Sequence, residues 1–244
     1  MKRKLSKFSI FLIIIFLIIF TFFAIQKSPK ILDESRIKVV DNIGKNYLIR
    51  GSNPFVNKLG DKNFSYHDLK KHINLAINKA GKTELDDFYL IDINLLNLDG
   101  YFQILDEELF FKKNPQLGTF KQFSEISPAL ILMGFSDNKF IEEITNKYHQ
   151  NLDKILQEIH QNLAIQKNKP VIIYVHCNAG RDRTGLVVAS YRMKYLQQNI
   201  SQSLLANITD VGRNPEYFLY SAVFSYCNYL KKQMSLSDEY CRGN

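Results

Sequence analysis

An α/β layer sandwich, its central and mostly parallel sheet covered by helices on both faces and preceded by one N-terminal transmembrane helix, is the architecture this sequence predicts. Three observations point to it. Strand-like apolar runs alternate with helical spacing from Asn46 onward. One of those runs, VIIYVHC from Val171 to Cys177, lacks polar alternation, as a central strand covered on both faces should. Phe8 to Ile25 holds no charge and no breaker over 18 residues, about 27 Å as a helix at 1.5 Å per residue and just enough to cross a bilayer.

Taken in order, a basic tail (1–7) leads into the apolar span (8–25), whose exit TFFAIQKSPK lacks the A-x-A pattern of a cleavage site. That favours an anchor over a cleaved signal peptide, which would leave a secreted protein. Lys2, Arg3, Lys4 and Lys7 ahead of the span outnumber Lys27 and Lys30 just behind it. The positive-inside tendency therefore keeps the N-terminus cytoplasmic and places the body on the extracytoplasmic side of a single-pass protein. A polar linker (26–45) follows, then a folded domain (46–235) and a short tail (236–244).

Within the domain, NYLIRGSNP reads as a strand stopped by a turn. Leu69, Ile73, Ala76, Ile77 and Ala80 fall at helical intervals before a Gly81 cap. FYLIDINLL is the next strand. From Asp99 to Pro128 the pattern is mixed, with YFQIL and ELFFKK compatible with a hairpin. ALILMGF reads as a buried strand, and Ile141, Ile144, Tyr148, Leu152, Ile155, Ile159 and Leu163 mark one face of a long helix. TGLVVASYRMKYLQQ and a segment near 215–232 supply two more helices. His67, His72, His149 and His160 fall on polar helix faces.

Composition excludes several classes. Of 32 Lys and Arg, four precede the apolar span, which leaves 28 against 24 acidic residues. The body has no basic block with interleaved aromatics, so nucleic acid is not an expected partner. Cys177, Cys227 and Cys241 show neither C-x-x-C spacing nor paired histidines, so neither a zinc site nor a disulfide framework is expected, and the roles of Cys227 and Cys241 stay open.

Cys177 sits where the central strand turns through a tight loop into a helix. Backbone N–H groups and the positive helix end converge there, which makes an anion cradle of Asn178, Ala179, Gly180, Arg181, Asp182 and Arg183. Gly180 admits a backbone conformation closed to other residues, and Gly185 admits close approach of the helix to the sheet. Arg183 can present a planar fork to two phosphate oxygens. The same surroundings lower the thiol's pKa. A nucleophile facing a phosphate is the chemistry this pattern supports, with no metal or cofactor, because arginine and amides already supply the positive charge.

HCNAGRDRTG, His176 to Gly185, resembles the His-Cys, five residues, Arg-Thr/Ser signature of the cysteine-based tyrosine and dual-specificity phosphatases. The resemblance implies that family's layer sandwich, with Cys177 attacking phosphorus, Arg183 holding equatorial oxygens, Thr184 bonding the departing sulfur and His176 orienting the cysteine. It also implies a general acid on a loop before the signature strand. Asp137 has that setting and also suits a helix N-cap; Asp99 is a second candidate and Asp182, inside the cradle, a third. Asp182 holds the place of an aspartate in the similar myotubularin loop, and pairing with Arg181 is its simpler role. The loop is also similar to Gly-Lys-Asp-Arg-Thr loops of phosphatases that accept phosphoinositides, with Arg181 at the lysine position. Arg181 would there bind a second phosphate or merely face solvent. Arg213 is a substrate contact or a turn residue. The implied partners are a phosphorylated protein or a phosphoinositide, acted on by a monomer. A non-catalytic phosphate-binding module fits less well, because Cys177, Arg183 and Thr184 are all intact.

Overall fold

Alternation along the strands assigns each side chain to one of two sheet faces, and the order of the strands decides what lies beside the thiol. In the computed structural model, which describes residues 14, 15, 17, 21, 30–58, 60–124, 139–214 and 216–242, a five-stranded sheet is built from β1 (Lys38–Ile43), β2 (Asn46–Gly51), β5 (Tyr89–Asn94), β6 (Gly118–Gln122) and β7 (Val171–His176). Its order is β1-β2-β7-β5-β6. Every pairing is parallel except the edge pair β1/β2. A separate hairpin pairs β3 (Phe55–Lys58) with β4 (Asp61–Phe64).

β7 is central and wholly buried, as its unbroken apolar run predicts. Its odd positions, Ile173, Val175 and Cys177, face a core shared with α3 (Lys139–Ala164), α4 (Asp182–Tyr195), α5 (Ile200–Val211) and α6 (Tyr217–Met234). Its even positions, Ile172 and Tyr174, face the other core, under α1 (Tyr66–Lys79) and α2 (Tyr101–Lys113). Tyr148, Leu152, Ile155, Ile159 and Leu163 are buried along α3 at the expected spacing. α1 starts at Ser65, whose side chain accepts from the Asp68 N–H, and stops before Gly81 at φ +73°.

Five expectations are corrected. The stretch read as a linker, 26–45, contains β1 and the turn Glu34–Arg36, so the fold starts well before Asn46. β1 is an edge strand whose six residues are all half-buried, and such polar edges read as linker. The stretch YFQIL to ELFFKK, whose mixed pattern is compatible with a hairpin, is instead the helix α2. Its buried positions Gln103, Ile104, Glu107 and Phe111 have helical spacing, but two of the four are polar, which erased the apolar period. Cys227 and Cys241 form a disulfide. The tail is thereby stapled to α6, and Leu236 and Tyr240 pack on the core. His149 is buried rather than on a polar face. Gly185 meets not the sheet but Leu219 and Asn207, with an added Cβ 3.1 Å from the leucine.

α5 was not anticipated, although its signals are local: Asn199 and Gln202 form a reciprocal capping box, and Gly212 at φ +66° ends it. Among the described residues no helix is long and apolar enough to cross a membrane. The run 8–25 falls outside them except at the helical positions Ile14, Ile15, Leu17 and Thr21. The strand expected at 129–135 and Asp137 also lie outside the described residues.

Candidate active site

Between the end of β7 and the start of α4 the chain must reverse within five residues, and one glycine makes this possible. Gly180 adopts φ +64°, and a Cβ there would come within 2.4 Å of the Gly51 carbonyl oxygen. Both the conformation and the contact exclude other residues. The loop is then tied from outside. Arg50 Nη2 donates to the Gly180 carbonyl at 2.9 Å, the Asn53 N–H to that of Asn178 at 3.3 Å, and the Lys30 N–H to Asn178 Oδ1 at 2.8 Å.

Arg50, which the sequence reading passed over, is fully buried. Its Nη1 donates to Asn207 Oδ1 at 2.7 Å and to Asp210 Oδ2 at 3.0 Å, and Arg192 binds the same Asp210 at 2.9 Å. Asn207 returns a hydrogen bond to the Gly185 carbonyl at 2.8 Å. Thus α5 clamps both the cradle and the first turn of α4. The available signal was a lone arginine in the apolar run NYLIRG, a charge where burial is expected.

Cys177 is 4% exposed. Burial pushes its thiol up, but the Arg183 guanidinium, the Thr184 hydroxyl and the backbone N–H groups of Thr184 and Arg181 outweigh it and bring the pKa below the ordinary value. Arg183 is aimed by the loop after β5: Nη1 donates to the Leu95 carbonyl at 2.9 Å, and Nη2 lies 3.6 Å from Asp99 Oδ2. Asp99, an acid candidate on sequence, is therefore brought to the site as the partner of Arg183. β5 and β7 are neighbours in the sheet, which chain order hid.

Asp182 opens α4 and pairs with Arg213 Nη2 at 2.9 Å, not with Arg181. Burial and the nearby Glu216 carboxylate push Asp182 upward, against Arg213, Arg181 and Arg183. Arg213 also holds Glu216 at 2.7 Å, so it is a structural partner of the cradle rather than a bare turn residue. Arg181 and Arg213 line a shallow cleft with Arg50, Asn207 and Asn214. The structure thus gathers His176, Cys177, Asn178, Ala179, Gly180, Arg181, Asp182, Arg183 and Thr184 with Asp99 and Arg213. Below the cradle, His176, Asp92 and Glu107 bring one nitrogen and two carboxylate oxygens within 4.8 Å of one another, all fully buried.

Residues 122–193, which run from the end of β6 through the cradle into α4, match the model of the tyrosine phosphatase family. No curated protein matches the chain. The solved structure of human DUSP28 aligns with a TM-score of 0.40 at 11% identity, over 84% of this chain and 99% of its own. An overlay that loose leaves the assignment to the matched segment and its chemistry. That segment holds an ionisable cysteine, a forked arginine and a threonine around one anion cradle, and it is the part of the chain that is similar to the tyrosine phosphatase family.

Proposed function

We propose that this is a membrane-anchored phosphatase that hydrolyses phosphate monoesters of tyrosine, serine or threonine in proteins through a cysteinyl-phosphate. The observation that carries the reading is Cys177 held beneath the Arg183 fork and the Thr184 hydroxyl in a glycine-turned cradle. The Cys177 thiolate attacks phosphorus while backbone N–H groups and Arg183 bind the equatorial oxygens. The P–O bond to the leaving group breaks, and that oxygen takes a proton from Asp137. Water then attacks the cysteinyl-phosphate, giving a proton back to the Asp137 carboxylate, and the P–S bond breaks with Thr184 donating to the sulfur, which leaves as the thiolate. Asp137 is favoured as acid because it lies on the connection between β6 and α3, whereas Asp99 and Asp182 are engaged by Arg183 and Arg213. No step calls for a metal or cofactor.

The test is phosphate release by the full chain in detergent. Replacing Cys177 by Ser should abolish turnover and leave substrate binding intact, whereas release at the wild-type rate would rule the mechanism out. Asp137→Asn should slow esters with poor leaving groups about 10²- to 10⁴-fold and spare p-nitrophenyl phosphate by comparison.

One observation favours a second substrate, a phosphoinositide headgroup. The apolar run ends at Ile25, and the Lys30 backbone already touches the cradle. Five residues reach at most about 17 Å at ~3.4 Å each, so an anchored chain would work close to the bilayer, with Arg181 in the cradle and Arg213 paired to its Asp182. A kcat/KM higher on short-chain phosphoinositides than on a phosphotyrosine peptide would select this reading; the reverse would discard it. Placement of the body outside the cytosol is supported by the charge bias across the span and by the Cys227–Cys241 disulfide, since such bonds persist in oxidising compartments.

A further inference from the structure

The even face of β7 changes character toward its C-terminal end. Ile172 and Leu90 are apolar neighbours, Tyr174 lies opposite Asp92, and His176 lies opposite Asn94. This is the face away from the Cys177 sulfur, and the reaction as described leaves its polar groups without a role. His176 Nε2 lies 3.2 Å from Glu107 Oε2 with hydrogen-bond geometry and 3.1 Å from Asp92 Oδ1 at ion-pair distance. All three side chains are fully buried. Neither oxygen of Asp92, nor Glu107 Oε1, nor His176 Nδ1 has a hydrogen-bond partner among the described residues.

A cluster so incompletely satisfied is a poor device for stability. Apolar residues of the same shape generally do as well or better in such places. Its connections instead lead to the catalytic arginine. Asn94 Nδ2 donates to Glu107 Oε2 at 2.8 Å, and the Leu95 N–H donates to the His176 carbonyl at 2.9 Å. The Leu95 carbonyl in turn accepts from Arg183 Nη1 at 2.9 Å. Glu107 on α2 thus grips both Asn94, the chain neighbour of Leu95, and His176, whose carbonyl accepts the Leu95 N–H across the strand pair.

We propose that Asp92 and Glu107 are positioning residues: they clamp His176 Nε2 as the N–H of an imidazolium, and through His176, Asn94 and Leu95 they set the place of the Arg183 fork. Two buried carboxylates need a cation, and His176 is the one facing both. The ionisable groups around its ring are Asp92 on β5, Glu107 on α2, Tyr174 stacked at 5.4 Å on its own strand, and the adjoining Cys177. Tyr174 is committed to the Ser52 carbonyl at 2.6 Å. Burial opposes the charge, but the Glu107 and Asp92 carboxylates prevail and raise His176 to about 10. The same atoms could in principle gather a divalent ion, and the test separates the two.

This role rests on the phosphatase reading. The experiment is ¹⁵N-histidine NMR on the full chain in detergent, with five histidines to resolve, beside turnover of p-nitrophenyl phosphate and a metal analysis. In the wild type one histidine should stay an imidazolium between about pH 6 and pH 9 while ordinary ones lose their proton. In Asp92→Asn/Glu107→Gln that signal should become neutral, and kcat should fall roughly tenfold to hundredfold with KM little changed, the scale of a misplaced catalytic group. Glu107→Gln alone keeps the shape and the acceptor and should move the same signal toward the neutral form, which secures the test should the double variant not fold. His176 titrating like the others, a folded double variant with wild-type kcat, or a stoichiometric metal in the wild type lost from the double variant would each overturn the proposal. An inert wild type with a charged His176 would contradict the phosphatase reading instead.

Discussion

In the proposed reaction Arg183 is the substrate fork, and its guanidinium is also the largest of the influences that lower the Cys177 thiol against burial. Removing it therefore has a consequence that can be read without any substrate. In Arg183→Ala the thiol should rise toward its ordinary value, so the pH profile of Cys177 alkylation by iodoacetamide should move upward. Lysine at the same position would restore charge but not the two-pronged contact with Leu95 and the ester, and should recover alkylation better than turnover. An unmoved profile in Arg183→Ala would mean that the cradle's N–H groups and Thr184 suffice. At Gly180 the prediction concerns shape: Gly180→Ala must strain φ +64° and meet the Gly51 carbonyl at 2.4 Å. It should lower Tm and phosphatase activity together.

At the scale of elements, α5 and α2 carry the support of the site, and they are the two helices the sequence did not disclose. Arg50→Ala should leave the Gly180 carbonyl without its buried donor, and Asn207 and Asp210 with Arg192 alone. Removing one partner from such a network costs about 3–5 kcal/mol, measurable by urea denaturation. α2 brings a pH dependence. Glu107 and Asp92 raise His176 to about 10 from about 6.5 in the unfolded chain. That contribution to stability is complete below about 6.5 and is lost as the pH climbs through 10. The alkaline limb of a Tm–pH profile should therefore flatten in Asp92→Asn/Glu107→Gln. The cradle itself was legible because glycine, cysteine, arginine and threonine must stand at set offsets to do their chemistry. Arg50, Glu107 and Asp92 were not, because inward-facing polar residues look like surface residues until the sheet order places them. α2 was lost for the same reason: Gln103 and Glu107 occupy core positions that a hydrophobic period would fill.

Across the whole molecule, the alternation of strands and helices along the chain made the layered architecture readable. The sheet order, which sets Asp99 beside Arg183, arises from pairings between strands distant in sequence. The Cys227–Cys241 link was equally hidden, since α6 and the chain after it bring together cysteines that no motif spacing connects. Closing a loop of this length stabilises by about 3 kcal/mol through the unfolded chain. Cys227→Ser/Cys241→Ser should lower Tm accordingly and leave kcat per folded molecule near the wild type, because the link lies far along the chain from the cradle. Thiol trapping from intact cells should find these two cysteines oxidised if the body lies outside the cytosol, and reduced if it does not.

The central claim, a phosphorylated Cys177, is tested most directly by quenching the full chain in denaturant at alkaline pH during turnover of p-nitrophenyl phosphate and mapping the phosphoryl group by peptide mass spectrometry without acid steps. The account predicts an alkali-stable, acid-labile adduct on the peptide containing Cys177, more abundant in Thr184→Ala, where breakdown of the intermediate is slowed, and missing in Cys177→Ser. Steady turnover by the wild type with no adduct on Cys177 in either the wild type or Thr184→Ala would contradict it.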